Sequence, residues 1–129
     1  LKPKLGHITT FGGHPVNCSA SLACLEHLLS SNMMNEADKK EKLFREHLNH
    51  PKIKEIRGTG LILAVELDSE ELTKKVVEKS LENGLILFYF LFTKTSFRIT
   101  PPLTISEEEI IEGCEIIKKQ LWLLYKTGF

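Results

Sequence analysis

The chain has 129 residues, a length for one domain or for one small domain plus a piece of another, and at 42% hydrophobic and 26% charged it is no disordered segment. Lys and Arg total 17 against 17 Asp and Glu, interspersed at zero formal net charge, which leaves no electrostatic footprint for a nucleic-acid backbone or an anionic membrane. The longest apolar stretch, Gly84 to Phe92, is too short to span a bilayer, and LKPKLGH carries no signal-peptide core. Cys18, Cys24 and Cys114 are widely spaced in apolar surroundings, as in reduced core cysteines, so the expectation is a soluble cytoplasmic protein.

The chain opens on Leu1 in a Gly/Thr-rich segment with no helix or strand before it, which leads to the expectation of the C-terminal part of a longer protein. Residues 1 to 14 are expected as a loop, and Pro15 suits the first position of a helix, where a missing N–H costs nothing. That helix, VNCSASLACLEHLLSSN, begins with small residues and continues with Leu22, Leu25, Leu28 and Leu29 at helical spacing, which predicts burial over much of its surface. A charged helix over Asn35 to Asn49 follows, with Leu43, Phe44 and Leu48 as its apolar face, closed before Pro51.

IKEIRGTGLILAVEL predicts a strand, a glycine bend at Gly58 and Gly60, and a buried strand over Leu61 to Leu67. Ser69 can cap a helix with Leu72, Val76, Val77 and Leu81 on one face, stopped by Asn83 and Gly84. A strand is expected from Leu85, and SFRIT, Ser96 to Thr100, as a short strand that Pro101 and Pro102 end. Ser106 and Glu109 form a capping box before a long helix with Ile110, Ile111, Cys114, Ile117, Leu121 and Leu124 on one side. From Ile53 onward this order predicts an α+β unit, a small mostly antiparallel sheet with helices on one face, preceded by a connector helix.

Two segments could carry chemistry. HITTFGGHP, His7 to Pro15, combines the hydroxyls of Thr9 and Thr10, two glycines and a helix N-terminus, a donor set suited to a phosphate. The same residues could equally be a glycine turn with Thr9 and Thr10 as local caps. Arg98, on a strand ending in two prolines, offers a rigid guanidinium fork for a carboxylate, or is an edge-strand arginine reaching solvent. Gly58-Thr59-Gly60 precedes a strand and not a helix, so it is no dinucleotide fingerprint. The histidines and cysteines lack zinc-site spacing, and His47 and His50 are expected in solvent.

TTFGGHP with its small-residue helix, IKEIRGTGLILAVEL and SFRITPPLTISEEEI, in that order, resemble the C-terminal part of class III aminotransferases, the fold-type I pyridoxal-phosphate enzymes that include ornithine, acetylornithine and 4-aminobutyrate aminotransferases. The resemblance implies that residues 1 to 33 are the end of a large cofactor domain and a connector helix, and residues 34 to 129 a C-terminal small α+β domain. It implies pyridoxal 5'-phosphate as cofactor and a homodimer in which Thr10, with Thr9 beside it, binds the cofactor phosphate in the neighbouring subunit's site. Arg98 falls on the family's carboxylate-binding arginine, and Arg57, Gly58 and Gly60 on a mainly structural signature. His14 departs from an asparagine common in the family. The implied partners are an amino donor, such as ornithine or acetylornithine, and a 2-oxo acid such as 2-oxoglutarate. The family's Schiff-base lysine lies upstream of the TTFGG segment, and Lys2 and Lys4 do not match its context, so no catalytic residue is expected in this chain, which should be inactive alone. The competing expectation is a stand-alone α+β module that binds a small anion or dimerises, without catalysis.

Overall fold

The computed structural model describes residues 10–126, which divide into two compact units, one ending at Met34 and one beginning at Asn35. Within the first unit, helix α1 spans Pro15–Ser30, with the proline at its start as expected. None of its residues is buried, contrary to the burial predicted from its leucines. The physical reason lies in the unit itself, which among the described residues holds no second helix or strand to cover them. Cys18 and Cys24 lie on this helix and are exposed, so of the three cysteines only Cys114 is the core residue expected.

The second unit contains helix α2 (Ala37–His47), strands β1 (Ile53–Thr59) and β2 (Ile62–Leu67), helix α3 (Glu70–Glu82), strands β3 (Phe88–Tyr89) and β4 (Ser96–Ile99), and helix α4 (Glu107–Lys126). The four strands form one sheet in the order β1-β2-β4-β3, every neighbour antiparallel. Strand β2 alternates: Leu63, Val65 and Leu67 are buried while Ile62 is 69% exposed, so it buries one face and not the continuous run its apolar sequence suggested. Those residues meet Phe44 and Leu48 of the α2 end, Leu72, Val76 and Val77 of α3, Phe97 and Ile99 of β4, and Ile110, Cys114, Ile117 and Leu121 of α4 in one core. All three helices thus cover the same sheet face, giving the predicted α+β architecture. Leu81 of α3 is exposed, and Thr73 and Ser80 take its place in the buried stripe.

Local chemistry fixes the element ends. Ser69 Oγ accepts from Leu72 N at 3.2 Å at the start of α3, and Ser106 and Glu109 exchange both capping-box bonds ahead of α4, at 2.8 and 3.1 Å. The β1–β2 hairpin turns through Gly60, whose φ of 57° an L side chain rarely adopts. Gly58 is more constrained: its φ is 119°, and a Cβ there would stand 2.1 Å from the Ile62 carbonyl oxygen. Arg45 of α2 donates to the carbonyls of Ile56 at 2.6 Å and Gly58 at 3.0 Å, and Glu41 accepts from Gly60 N, so α2 clasps the hairpin through its backbone. Strand β3 has only two residues, because the segment from Leu85 pairs with β4 at Phe88 and Tyr89 alone.

Candidate active site

In the first unit, Thr9 lies outside the described residues, and Thr10 is exposed at the start of a turn in which His14 N donates to the Phe11 carbonyl at 3.1 Å. His14 is the N-cap of α1 with extended backbone, its side chain makes no capping bond, and no acidic residue occupies the first turn. The first helical bond runs from Cys18 N to His14 O at 3.0 Å, so the N–H groups of Val16 and Asn17 have no carbonyl of the helix to bond. Gly13 has open space where a Cβ would stand, and its φ is not in the left-handed region, so nothing within the unit demands a glycine there. An exposed hydroxyl, N–H groups without a helix carbonyl among the described residues and a glycine that leaves room for close approach are donors of a kind that the phosphate of pyridoxal 5'-phosphate would fit.

In the second unit, Arg98 sits on β4 with Ala64 opposite on β2 and Phe88 opposite on β3. Arg57 of β1 lies opposite Ala64, so one row across the sheet reads Arg57, Ala64, Arg98, Phe88, on the face away from the helices. The Arg98 guanidinium lies over the Phe88 ring, 5.2 Å from its centroid. Its Nε is buried without a hydrogen-bond partner. The acids of the neighbouring row, Glu55 and Glu66, are both taken by Arg57, and among the described residues no carboxylate pairs with Arg98. The alternative of an arginine reaching freely into solvent does not describe this half-buried, ring-stacked side chain. The pocket beside it, walled by Leu85, Phe88, Pro101 and Ile105 among others, measures about 110 Å3. Small-molecule sites run roughly 300 to 1,000 Å3, so this pocket is too small to enclose a substrate.

The Arg57 cluster is a feature that sequence reasoning treated as structural. Its Nη1 donates to Glu55 Oε2 at 3.0 Å and to Glu66, and its Nη2 reaches Ser96 Oγ at 3.5 Å. The Glu66 hydrogen bond, followed by that of Glu55, pushes the guanidinium's pKa above its ordinary value. His50 also differs from expectation. It is 4% exposed, its Nδ1 accepts from Lys52 N at 3.1 Å, and its ring meets Trp122 edge-on at 4.3 Å; burial pushes its pKa below the usual histidine value. The signal that could have found it is the Trp122 to Tyr125 aromatic pair near the end of the α4 apolar stripe. Gly58-Thr59-Gly60 proves to be hairpin backbone, and no group of three metal-ligating side chains occurs among the described residues. Nor is any helix among them long and apolar enough to cross a membrane.

Residues 2–121 match the aminotransferase class-III family, and the chain belongs to it. It is 39% identical over 116 residues to the acetylornithine aminotransferase of Caldanaerobacter subterraneus subsp. tengcongensis, covering 86% of this chain and 29% of that protein. To the 4-aminobutyrate aminotransferase of Mycobacterium leprae it is 33% identical over 124 residues, covering 87% and 28%. Its fold matches an ornithine aminotransferase from Toxoplasma gondii, whose structure has PLP at partial occupancy in the active site, with a TM-score of 0.81 and 34% identity over 98% of this chain and 31% of that one. The chain thus spans under a third of the length of these relatives.

Proposed function

We propose that this chain is the C-terminal part of a cytoplasmic class III aminotransferase that moves an amino group from ornithine, acetylornithine or a related amine to a 2-oxo acid such as 2-oxoglutarate. The observation that carries the reading is Arg98, a stacked, half-buried guanidinium with no carboxylate partner among the described residues. A fork held this way is ready for a bidentate bond to a substrate carboxylate, which both an amino acid and a 2-oxo acid possess.

Residues 1 to 33 close the large cofactor domain and connect it to the small domain of residues 34 to 129. Thr10, with Thr9, donates to the phosphate of pyridoxal 5'-phosphate, and the free N–H groups at the α1 start add their dipole to that contact. When bound, the cofactor supplies the electron sink that labilises the bonds of the amino-bearing carbon. Arg98 orients the substrate by its carboxylate, so that the reacting carbon is fixed at a set distance from the anchored end. Thr10 serves the site of the neighbouring subunit in a homodimer. By itself the chain is inactive, since the family's Schiff-base lysine has no counterpart in it. The free cysteines Cys18, Cys24 and Cys114 fit a reducing compartment.

The test is amino transfer by the whole protein. Purified with pyridoxal phosphate, it should form glutamate from 2-oxoglutarate with at least one of ornithine, acetylornithine and 4-aminobutyrate as donor, while residues 1 to 129 alone form none. A whole protein that aminates no 2-oxo acid would refute the assignment, and glutamate formation by the chain alone would refute its dependence on a lysine elsewhere.

A further inference from the structure

Arg98 shares its sheet face with Glu66, and the geometry points to Arg57 as the positioning residue that keeps the Arg98 fork open by holding Glu66 away from it. This inference rests on the carboxylate-binding reading of Arg98. Glu66 lies two residues beyond Ala64 on β2, directly opposite Ser96 of β4 and Glu55 of β1. Arg57 and Arg98 are each directly opposite Ala64, so Glu66 is diagonal to both. Diagonal neighbours on one face stand about 7 to 8 Å apart, within reach of long side chains. Glu66 can therefore serve either arginine.

In this structure it serves Arg57. That guanidinium bonds Glu66 and Glu55 through Nη1 and extends over the row to Ser96 Oγ at 3.5 Å, two residues before Arg98 on its own strand. Ala64, the residue between the two arginines, is too small to wall Glu66 off from Arg98. The Glu66 side chain is only 27% exposed, so an unpaired charge there is partly desolvated and draws the nearest free cation. Without Arg57 that cation is Arg98. A glutamate tethered on the same sheet face competes with a free substrate carboxylate at an effective concentration in the millimolar range or above, with no distance to diffuse. Arg57 thus sets substrate affinity without touching the substrate.

The test uses the whole protein with its cofactor. Arg57→Gln should raise KM for both the amino acid and the oxo acid about twofold to sixfold, the range a partly exposed ion pair competing for the fork produces, with little change in kcat. Arg57→Gln combined with Glu66→Gln should return KM to near its original value, and Arg57→Lys, which keeps a cation at the position, should lose less than Arg57→Gln. An unchanged KM in Arg57→Gln, or a raised KM that Glu66→Gln does not restore, would overturn the inference, since a merely structural arginine is not rescued by removing a carboxylate. Glu66→Gln alone keeps the test open if Arg57→Gln fails to fold: it should leave KM equal or lower, and a higher KM counts against the proposal. Arg98→Lys, measured alongside, separates the premises. No effect there removes the clamp itself, whereas an effect there with none from Arg57→Gln removes only the guarding role.

Discussion

Replacing Arg98 by lysine keeps the positive charge and removes the planar fork, so it asks directly whether that fork binds substrate. Among the described residues this side chain surrenders no ion pair, and its guanidinium lies over the Phe88 ring at 5.2 Å. The folded state should accordingly lose little: a cation–π contact at a partly exposed site contributes about 0.5 to 1 kcal/mol, and lysine retains part of it. Binding should lose more. A lysine makes one charge-assisted hydrogen bond where the fork makes two parallel ones, and the missing bond is worth roughly 1.5 to 3 kcal/mol, or about tenfold to a hundredfold in affinity. Steady-state kinetics of the whole protein should show KM raised by that factor for the amino acid and for the oxo acid alike, because both present a carboxylate. Cofactor affinity, followed by the absorbance of bound pyridoxal phosphate, should stay within about twofold, far below the loss expected of a lost charged contact. Unaltered KM for both substrates together with a lowered melting temperature would show that Arg98 only holds its strand, and the clamp reading would fall.

Gly58→Ala should destabilise the second unit by about 2 kcal/mol or more, because the residue must leave a φ that L side chains avoid and its Cβ would meet the Ile62 carbonyl; a loss of unfolding free energy under about 0.5 kcal/mol in urea titrations would contradict the hairpin geometry. His50 has its pKa lowered by burial and by Lys52, so the unfolded chain binds the proton first as pH falls through about 6.5. Stability should therefore decline from that point until the folded-state pKa is reached, at up to about 1.4 kcal/mol per pH unit, and His50→Gln should flatten the slope in melts between pH 7 and 5. Thr10→Val in the whole protein should weaken cofactor affinity about tenfold to a hundredfold, the worth of a hydroxyl bond to a charged phosphate. In a mixed dimer with a subunit lacking the Schiff-base lysine, the lysine-bearing site should bind normally when Thr10→Val sits in that same subunit; weak binding there would place Thr10 in its own subunit's site.

The α+β order could be read from the sequence because its signals are local. Ser69, the Ser106 and Glu109 capping box and the Asn83-Gly84 stop each depend on residues within one turn of the chain, and the helices they delimit appear where expected. The failures come from partners that spacing cannot name. The leucines of α1 are arranged for burial, yet a helical stripe says only that a helix has an apolar side, and within its unit no described element meets that side. His50 looked like a polar residue at a helix end because Trp122 and Tyr125 lie more than seventy positions later in the chain.

The same distinction separates the two halves of the Arg98 site. That an arginine ahead of two prolines stands at a rigid strand end follows from β propensity and the missing proline donors, all within five residues. Whether it is free depends on strand register, since Ala64 and Glu66 alternate with the buried Leu63 and Val65, and a shift by one residue would put the glutamate in the core and a valine beside the arginine. The hairpin sets the register of β1 on β2, through Gly58, Gly60 and the Arg45 bonds to the Ile56 and Gly58 carbonyls, while that of β2 on β4 keeps Leu63, Val65, Phe97 and Ile99 together on the buried face. The glycines of that motif thus bear on the Arg98 face indirectly: they fix which residues of β2 lie beside Arg57, and with that its reach to Glu66.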